Sequence, residues 1–286
     1  MRSRVLVAAI ALAAAGALGG CSTAGHDRRP TVVASFYPLQ FLVTRIAGDT
    51  VRVIGLTSPG VEPHDLELTV RQVAEVSRAD LVVYEHGLQP AVDQAVAQNA
   101  RRHGLDVAPA VDLTKGNPHF WLDPVRFRAA AAAVEQELEK VRPTEATTYA
   151  ANLARLDEQL TALDQAYTAG LSDCERNLVV TSHNAFGYQE RYGLRFAPIA
   201  GLAPDAEPSP AHLGQLRQLV RTAHVTTLFS ERLASPKLAD TLAHDLGLRT
   251  AVLDPIEGVE PDAHADYLSL MRANLANLRR ANGCAA

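Results

Sequence analysis

Short apolar segments alternate with amphipathic segments through most of this 286-residue chain, and this order constrains its fold more than any other feature. Four strands are predicted in the first half, at residues 31–36, 51–56, 80–85 and 106–108. Four more are predicted in the second half, at residues 177–181, 195–199, 225–229 and 249–253. Strands that alternate with helices form parallel sheets covered by helices. We therefore expect an α/β fold of two lobes, each a roughly four-stranded parallel sheet flanked by helices.

A long helical stretch separates the two halves. After Pro143, apolar residues recur at steps of three or four over several turns: Tyr149, Leu153, Leu156, Leu160, Leu163 and Tyr167. A helix this long can join two lobes rigidly, and a coiled-coil arm is the alternative. We expect an N-terminal lobe over residues 31–143, a linker helix over residues 144–171 and a C-terminal lobe over residues 172–286.

The amino terminus has the pattern of an export signal. Arg2 and Arg4 precede an apolar run over residues 5–18 that is short for a membrane-spanning helix and ends in small residues. We expect residues 1–20 to be a signal peptide. Cys21 follows Gly19 and Gly20, which resembles the bacterial lipobox. This predicts a lipidated Cys21 with residues 21–30 as a tether, anchored to the outer face of the cell membrane. An ordinary secretory leader is the alternative.

The net charge and the cysteines indicate which partners and which compartment suit the protein. Removing the predicted signal peptide takes away Arg2 and Arg4 and changes the formal net charge from -5 to -7, which does not suit a nucleic-acid partner. Cys174 and Cys284 flank the second half and are a candidate disulfide in an oxidising compartment. Two free thiols are the alternative.

Several polar residues follow predicted strands, which is where open parallel sheets bind ligands. His64 lies in the loop after the second strand and His119 after the fourth. In the second half, His183 directly follows the first strand and Asp254 follows the last. Glu231, after the third of these strands, is either a spare ligand, a partner that orients an imidazole, or a surface carboxylate.

Three imidazoles and a carboxylate form a typical zinc ligand set. The chain has no HExxH or CxxC motif, so the fold itself would have to bring such ligands together. A zinc hydrolase would instead need water in the fourth position and a base such as Glu231. Asp254 in that position favours a metal-binding protein that is not an enzyme. An adhesin or envelope scaffold with a structural metal is a third possibility, and it predicts unfolding on chelation.

The motifs that carry these residues resemble those of one known family. It comprises the periplasmic or lipid-anchored solute-binding proteins, in the zinc and manganese group called cluster A-I, that feed ATP-driven metal importers. The match runs from Val33 to the carboxyl end through six motifs in order: SFYP at 35–38, GVEPH at 60–64, NPHFWLDP at 117–124, TSHNAFGY at 181–188, AEPSP at 206–210 and LDP at 253–255. The resemblance implies two lobes joined by a long rigid helix, with one metal held in the cleft by His64, His119, His183 and Asp254.

The resemblance also implies the cargo and the partners. Manganese-binding relatives carry Glu where this chain has His183, and imidazole suits zinc, so the zinc-binding branch is indicated. A manganese- or iron-specific protein of the same family is the alternative. Residues 110–117 are short and lack the His-rich loop of many zinc-binding relatives. The expected cargo is Zn²⁺, with Mn²⁺ as the alternative. The expected partners are an ABC permease with its ATPase and, through the lipid anchor, the membrane, and the expected state is a monomer.

Overall fold

The computed structural model describes residues 29–113, 116–259 and 265–285. The predicted signal peptide and Cys21 lie outside these residues. Among the helices within them, none combines the length and the apolar character that crossing a membrane requires.

The N-terminal lobe is a four-stranded parallel sheet in the order β2-β1-β3-β4. Its elements are β1 (Thr31–Ala34), α1 (Tyr37–Ala47), β2 (Arg52–Gly55), α2 (Val70–Arg78), β3 (Leu81–Tyr84), α3 (Pro90–Asn99), β4 (Gly104–Asp106), α4 (Ala108–Val111) and α5 (Pro124–Val141). Successive side chains of a strand point to opposite faces. Accordingly, Val32 and Ala34 enter one apolar core and Val33 enters another, and all three are fully buried.

The C-terminal lobe repeats this architecture in the order β6-β5-β7-β8, again with all strands parallel. Its elements are β5 (Leu178–Thr181), β6 (Arg195–Pro198), α7 (Pro210–Thr222), β7 (Thr227–Ser230), α8 (Lys237–Leu246), β8 (Arg249–Val252) and α9 (Tyr267–Asn282). Every residue of the inner strands β5 and β7 is buried, as expected where helices cover both faces. The predicted fold class is confirmed.

A single long helix, α6 (Ala146–Gly170), is attached to both lobes. It packs against α1 and α5 of the N-terminal lobe and against α9 of the C-terminal lobe. Near its beginning the hydroxyl of Tyr149 lies 2.7 Å from Oγ1 of Thr50. Near its end the hydroxyl of Tyr167 donates to the carbonyl of Met271 at 2.8 Å. At about 1.5 Å per residue, its 25 residues span roughly 37 Å, which is enough to bridge two small lobes.

Two predicted elements differ from the observed ones. The strand predicted at residues 106–108 lies at Gly104–Asp106, and the short helix α4 follows it directly. Pro109 stands in the first turn of α4, where a missing N–H is tolerated, so the apolar residues after Asp106 enter a helix. Between β5 and β6, where the alternating pattern predicts a helix, the chain forms a 3-10 helix over Phe186–Tyr192.

Cys174 and Cys284 form a disulfide, with their sulfur atoms 2.02 Å apart. Cys174 lies between α6 and β5, and Cys284 lies just after α9. The bond therefore joins the beginning of the C-terminal lobe to its end, on the side where its strands begin.

Candidate metal centre

Three of the predicted ligands lie beyond the carboxyl ends of strands, in both lobes. His64 is in the loop between β2 and α2, His119 follows β4 and α4, and His183 lies two residues after β5. In parallel sheets these ends share one edge, where ligands bind. The topology therefore explains how three histidines distant in sequence come together.

The segment over residues 117–124 carries His119 against the C-terminal lobe. His119 and Trp121 are fully buried, with their ring centroids 5.2 Å apart. The indole N–H of Trp121 donates to the carbonyl of Pro255 at 2.7 Å, and the amide of Gln189 donates to the carbonyl of Leu122 at 3.2 Å. Packing and hydrogen bonds across the lobe boundary thus hold this segment in place.

The ring nitrogens of the three histidines converge on the carboxylate of Glu257. Nε2 of His119 lies 3.3 Å from Nε2 of His64 and 3.2 Å from Nε2 of His183. Oε1 of Glu257 lies 2.9 Å from Nε2 of His119 and 3.3 Å from each of the other two. Within the described part of the chain, this is the one group of three or more His, Cys, Asp or Glu residues whose ligand atoms all lie within 4.8 Å of one another.

These separations suit a tetrahedral metal ion. Zinc bound at about 2.0–2.1 Å places its four ligand atoms roughly 3.3 Å apart. The separations of 2.9 to 3.3 Å in the structure are close to this value. The side chain of His64 keeps 10% of its surface exposed, whereas those of His119 and Glu257 keep none, so His64 is on the more open side of the group.

Asn117 fixes the tautomer of His119. Its Oδ1 accepts from the backbone N–H of His119 at 3.0 Å and lies 2.7 Å from Nδ1 of the same ring. An amide oxygen only accepts hydrogen bonds, so Nδ1 carries the proton. Nε2 of His119 therefore presents its lone pair to the centre of the group.

Glu231 makes the same pair of contacts to His183. Its Oε1 lies 2.7 Å from Nδ1 of His183 and accepts from the backbone N–H at 3.3 Å. The partner here is a buried carboxylate and not an amide. The two lobes thus hold their buried histidines in the same way but with different charge.

Burial and the two carboxylates set the protonation of the histidines differently. For His183, burial favours the neutral ring, but hydrogen bonds and charges of Glu231 and Glu257 outweigh it and raise the pKa to about 10. For His119, complete burial prevails over Glu257 and lowers the pKa to about 4. Burial also opposes the charged form of His64, but contacts with Glu257 raise its pKa overall.

The pKa values of two nearby acids are shifted as well, in different directions. Burial alone would raise the pKa of Glu257, but its contacts with the rings of His119, His183 and His64 hold it well below its ordinary value. Glu62, two residues before His64, has its pKa raised to about 8 by burial and then by the negative charge of Glu257. In the metal-free protein, a proton on His183 therefore balances an ionised Glu257, while Glu62 is protonated at neutral pH.

The structure does not bring the predicted ligand Asp254 into this group. Its Oδ1 accepts from the backbone N–H of Ile256 at 2.8 Å, and its Oδ2 lies 3.1 Å from Nε of Arg232. The side-chain amide of Asn274 accepts from the backbone N–H of Asp254 and donates to the backbone carbonyl of Asp254. The carboxylate that meets the histidines is that of Glu257, three residues further along the chain, which sequence reasoning missed.

The turn after β8 explains this difference. Ile256 adopts a left-handed conformation with φ of 58°, which is rare for a β-branched residue. The carboxylate of Asp254 stabilises this turn by accepting from Ile256, and the chain then delivers Glu257 to the cleft. A second acid three residues after Asp254 was the available sequence signal, but its spacing from the strand gave no reason to prefer it.

Comparison with known proteins assigns the family. Residues 32–281 match the model of the family described as ZnuA, zinc-uptake complex component A, periplasmic. The chain is 34% identical over 280 residues to the zinc-binding lipoprotein AdcA of Streptococcus pneumoniae, covering 89% of this chain and 56% of AdcA. It is 32% identical over 274 residues to the high-affinity zinc uptake system protein ZnuA of Bacillus subtilis, covering 87% of this chain and 86% of that protein.

Solved structures agree with this assignment. The laminin-binding protein Lmb of Streptococcus agalactiae superimposes with a TM-score of 0.83 at 29% identity, over 88% of this chain and 99% of that one. The Zn(II)-bound ZnuA-like domain of S. pneumoniae AdcA superimposes with a TM-score of 0.77 at 33% identity, over 89% of this chain and 99% of the domain. The chain thus spans about half the length of full AdcA, and nearly all of its ZnuA-like domain. It belongs to the ZnuA family of zinc-uptake component A proteins.

Proposed function

We propose that this protein captures Zn²⁺ outside the cytoplasm and delivers it to an ABC-type import permease. The observation that carries this proposal is the convergence of His64, His119, His183 and Glu257 from both lobes. Nε2 of His64, Nε2 of His183 and Oε1 of Glu257 all lie within 2.9 to 3.3 Å of Nε2 of His119. The names of AdcA and ZnuA support the same cargo. In this role His64, His119, His183 and Glu257 are the metal ligands, and Glu257 replaces Asp254 of the sequence-based prediction.

The ligand types favour zinc over manganese. Imidazole nitrogen suits Zn²⁺, whereas Mn²⁺ prefers carboxylate and water oxygens in octahedral geometry. Three nitrogens and one oxygen at tetrahedral spacing are therefore a zinc set. Manganese would need further oxygen ligands.

The buried charges also balance a divalent cation. His119 and His183 are fully buried, and Glu231 and Glu257 are 6% and 1% exposed. An uncompensated charge in such surroundings is costly. Two carboxylates, one binding the metal and one on the far side of His183, offset the two charges of Zn²⁺. This assigns Glu231 the role of orienting His183 and strengthening it as a ligand.

Four protein ligands fill a tetrahedral shell. Catalytic zinc sites keep one position for water or substrate, so the closed set supports a carrier and not a hydrolase. Because the ligands come from both lobes, the bound metal ties the lobes together. A permease that draws the lobes apart would then loosen the site. Lipidation at Cys21, a tether to the membrane and a monomeric state complete the proposal.

Uptake of radioactive metal tests this function. Cells that lack the protein should lose ⁶⁵Zn uptake at low external zinc and keep their ⁵⁴Mn uptake. The wild-type gene should restore zinc uptake, and the His119→Ala gene should not. Loss of manganese uptake instead, or full rescue by His119→Ala, would contradict the proposal. Zinc-dependent ester hydrolysis that disappears in Glu231→Gln would support the hydrolase alternative.

A further inference from the structure

Asn117 contacts structural elements on both sides of the candidate metal centre. Its Oδ1 receives the backbone and ring N–H groups of His119. Its Nδ2 donates at 3.1 Å to the carbonyl of Asn184, the residue that follows His183. One amide group thus touches a ligand ring of the N-terminal lobe and the peptide next to a ligand of the C-terminal lobe.

The orientation of this amide is determined by its neighbours. The backbone N–H of His119 donates, so the atom facing it must be the oxygen. The carbonyl of Asn184 accepts, so the atom facing it must be the nitrogen. Turning the amide over would place two acceptors or two donors against each other at both ends. The contact across the lobes and the contact to the ring are therefore made together.

In the C-terminal lobe, Gly187 lies against this amide. Gly187 leaves room for it, because a Cβ at that position would lie 3.3 Å from Nδ2 of Asn117. The hydroxyl of Tyr188, the next residue, donates to the backbone carbonyl of Asn117 at 2.6 Å. The backbone of Asn117 is thus held by Tyr188, and its side chain passes between His119 and the segment that begins at Asn184.

We propose that Asn117 positions His119 relative to His183, so that the spacing of these two ligands is set across the lobe boundary before metal arrives. This inference rests on the proposed metal-binding function. Other hydrogen bonds across the boundary hold the backbone of residues 117–124, but the Asn117 side chain also contacts a ligand ring. A residue that oriented His119 alone would not need the bond to Asn184.

Three substitutions separate these roles. Asn117→Ala removes both contacts. Asn117→Asp keeps an oxygen for Nδ1 of His119 but turns a second oxygen towards the carbonyl of Asn184. Gly187→Ala keeps the Asn117 side chain but places a methyl group 3.3 Å from its Nδ2 atom. Gly214→Ala, on α7, is the matched control because a Cβ there meets nothing within 4 Å.

The measurement is the rate of zinc transfer from the loaded protein to an excess of chelator, followed by stopped flow. We expect Asn117→Ala to release zinc about 10- to 100-fold faster, as for other partners that orient a ligand. Asn117→Asp and Gly187→Ala should each release it about threefold faster or more, since groups in one hydrogen-bond network couple by at least this much. Gly214→Ala should match wild type. Wild-type rates in both Asn117→Asp and Gly187→Ala would overturn the coupling across the lobes.

Nitrogen NMR of ¹⁵N-histidine protein without metal supplies a readout that loss of stability alone would not change. The His119 signals, identified by their absence in His119→Ala, should show a single tautomer with the proton on Nδ1 in wild type and Asn117→Asp. Asn117→Ala should show a mixture of tautomers. An unchanged single tautomer in Asn117→Ala would overturn the positioning role. If His119→Ala itself bound zinc like wild type, the proposed site would fail, whereas unaltered Asn117 variants with a defective His119→Ala would reject this inference alone.

Discussion

The Nε2 atoms of His119 and His183 lie 3.2 Å apart, although the two residues belong to different lobes and are separated by 64 positions in the chain. Oε1 of Glu257 lies 2.9 Å and 3.3 Å from these same atoms. A metal bound among these three groups bonds to both lobes at once. Metal capture would therefore add bonds between lobes that are already in contact, as through Asn117 and Asn184.

Replacing Glu257 should weaken zinc binding more than replacing Asp254. Glu257→Gln keeps the size of the side chain but removes the anionic ligand, and we expect a loss in affinity of more than about 100-fold, beyond the usual effect of an outer partner. Asp254→Asn keeps an oxygen that can accept from Ile256 and should stay close to wild type. Competitive titration against a zinc indicator measures both. A larger loss in Asp254→Asn than in Glu257→Gln would restore Asp254 as the fourth ligand.

Removing the charge of Glu231 should weaken zinc binding without removing a ligand. Glu231→Gln still offers an oxygen to Nδ1 of His183 but no longer offsets the charge of the metal. We expect affinity to fall about 10- to 100-fold. Glu207→Gln, at an exposed position, is the control and should bind as wild type does. Equal affinities in the two variants, measured side by side, would show that Glu231 does not support the site.

Zinc binding should release a proton from His183. Its pKa of about 10 keeps the free ring charged throughout the neutral range, and the metal can bind Nε2 only after that proton leaves. At pH 9 Glu62, with its pKa of about 8, is already ionised, so His183 is the main source. Calorimetry in buffers of different ionisation enthalpy, with zinc supplied as a weak chelate, should report about one proton. Binding without proton release would contradict the charged state of His183.

The same raised pKa bears on the stability of the metal-free protein. His183 binds its proton more tightly when folded than when unfolded, so it stabilises the folded state fully below about pH 6.5, its ordinary pKa. This contribution is lost as the pH rises through about 10. Thermal melts of the metal-free protein should therefore show a falling Tm between these values, and His183→Gln should flatten that fall. An equally steep fall in the variant would assign it to other groups.

The disulfide should stabilise the C-terminal lobe without affecting the metal site. Cys174 and Cys284 are 110 positions apart, so their bond closes a long loop in the unfolded chain. Replacing both by Ser should lower the free energy of unfolding by about 2–5 kcal/mol in a urea titration. Zinc affinity should not change, because the bond lies where the strands begin and the metal group lies where they end. A large loss of affinity in the folded variant would contradict this separation.

The sequence predicted the fold well because hydrophobic periodicity reports which segments are strands and which are helices. The alternation predicted both sheets, and the apolar stripe through Tyr149 and Tyr167 predicted α6. His64, His119 and His183 could be predicted to lie close together because parallel strands end at one edge. The position of a loop residue relative to that edge is harder to predict from the sequence. Glu257 reaches the centre through a turn with Ile256 at positive φ, which periodicity does not encode.

Partners of the histidine rings were predicted only in part. Glu231 was a candidate because it directly follows a strand, yet its contact with Nδ1 of His183 depends on how the two loops approach each other. Asn117 opens the motif at residues 117–124, but the sequence alone indicates no role for it. Its significance lies in a contact with Asn184, 67 positions away, and only the packing of the two lobes creates it.

Anomalous diffraction at the zinc edge from crystals of the zinc-loaded protein is the most direct test of the metal centre. One strong peak is expected between Nε2 of His64, His119 and His183 and a carboxylate oxygen of Glu257, with bonds of about 2.0–2.1 Å. A peak bonded to Asp254 in place of Glu257, or zinc bound away from these three histidines, would contradict the account.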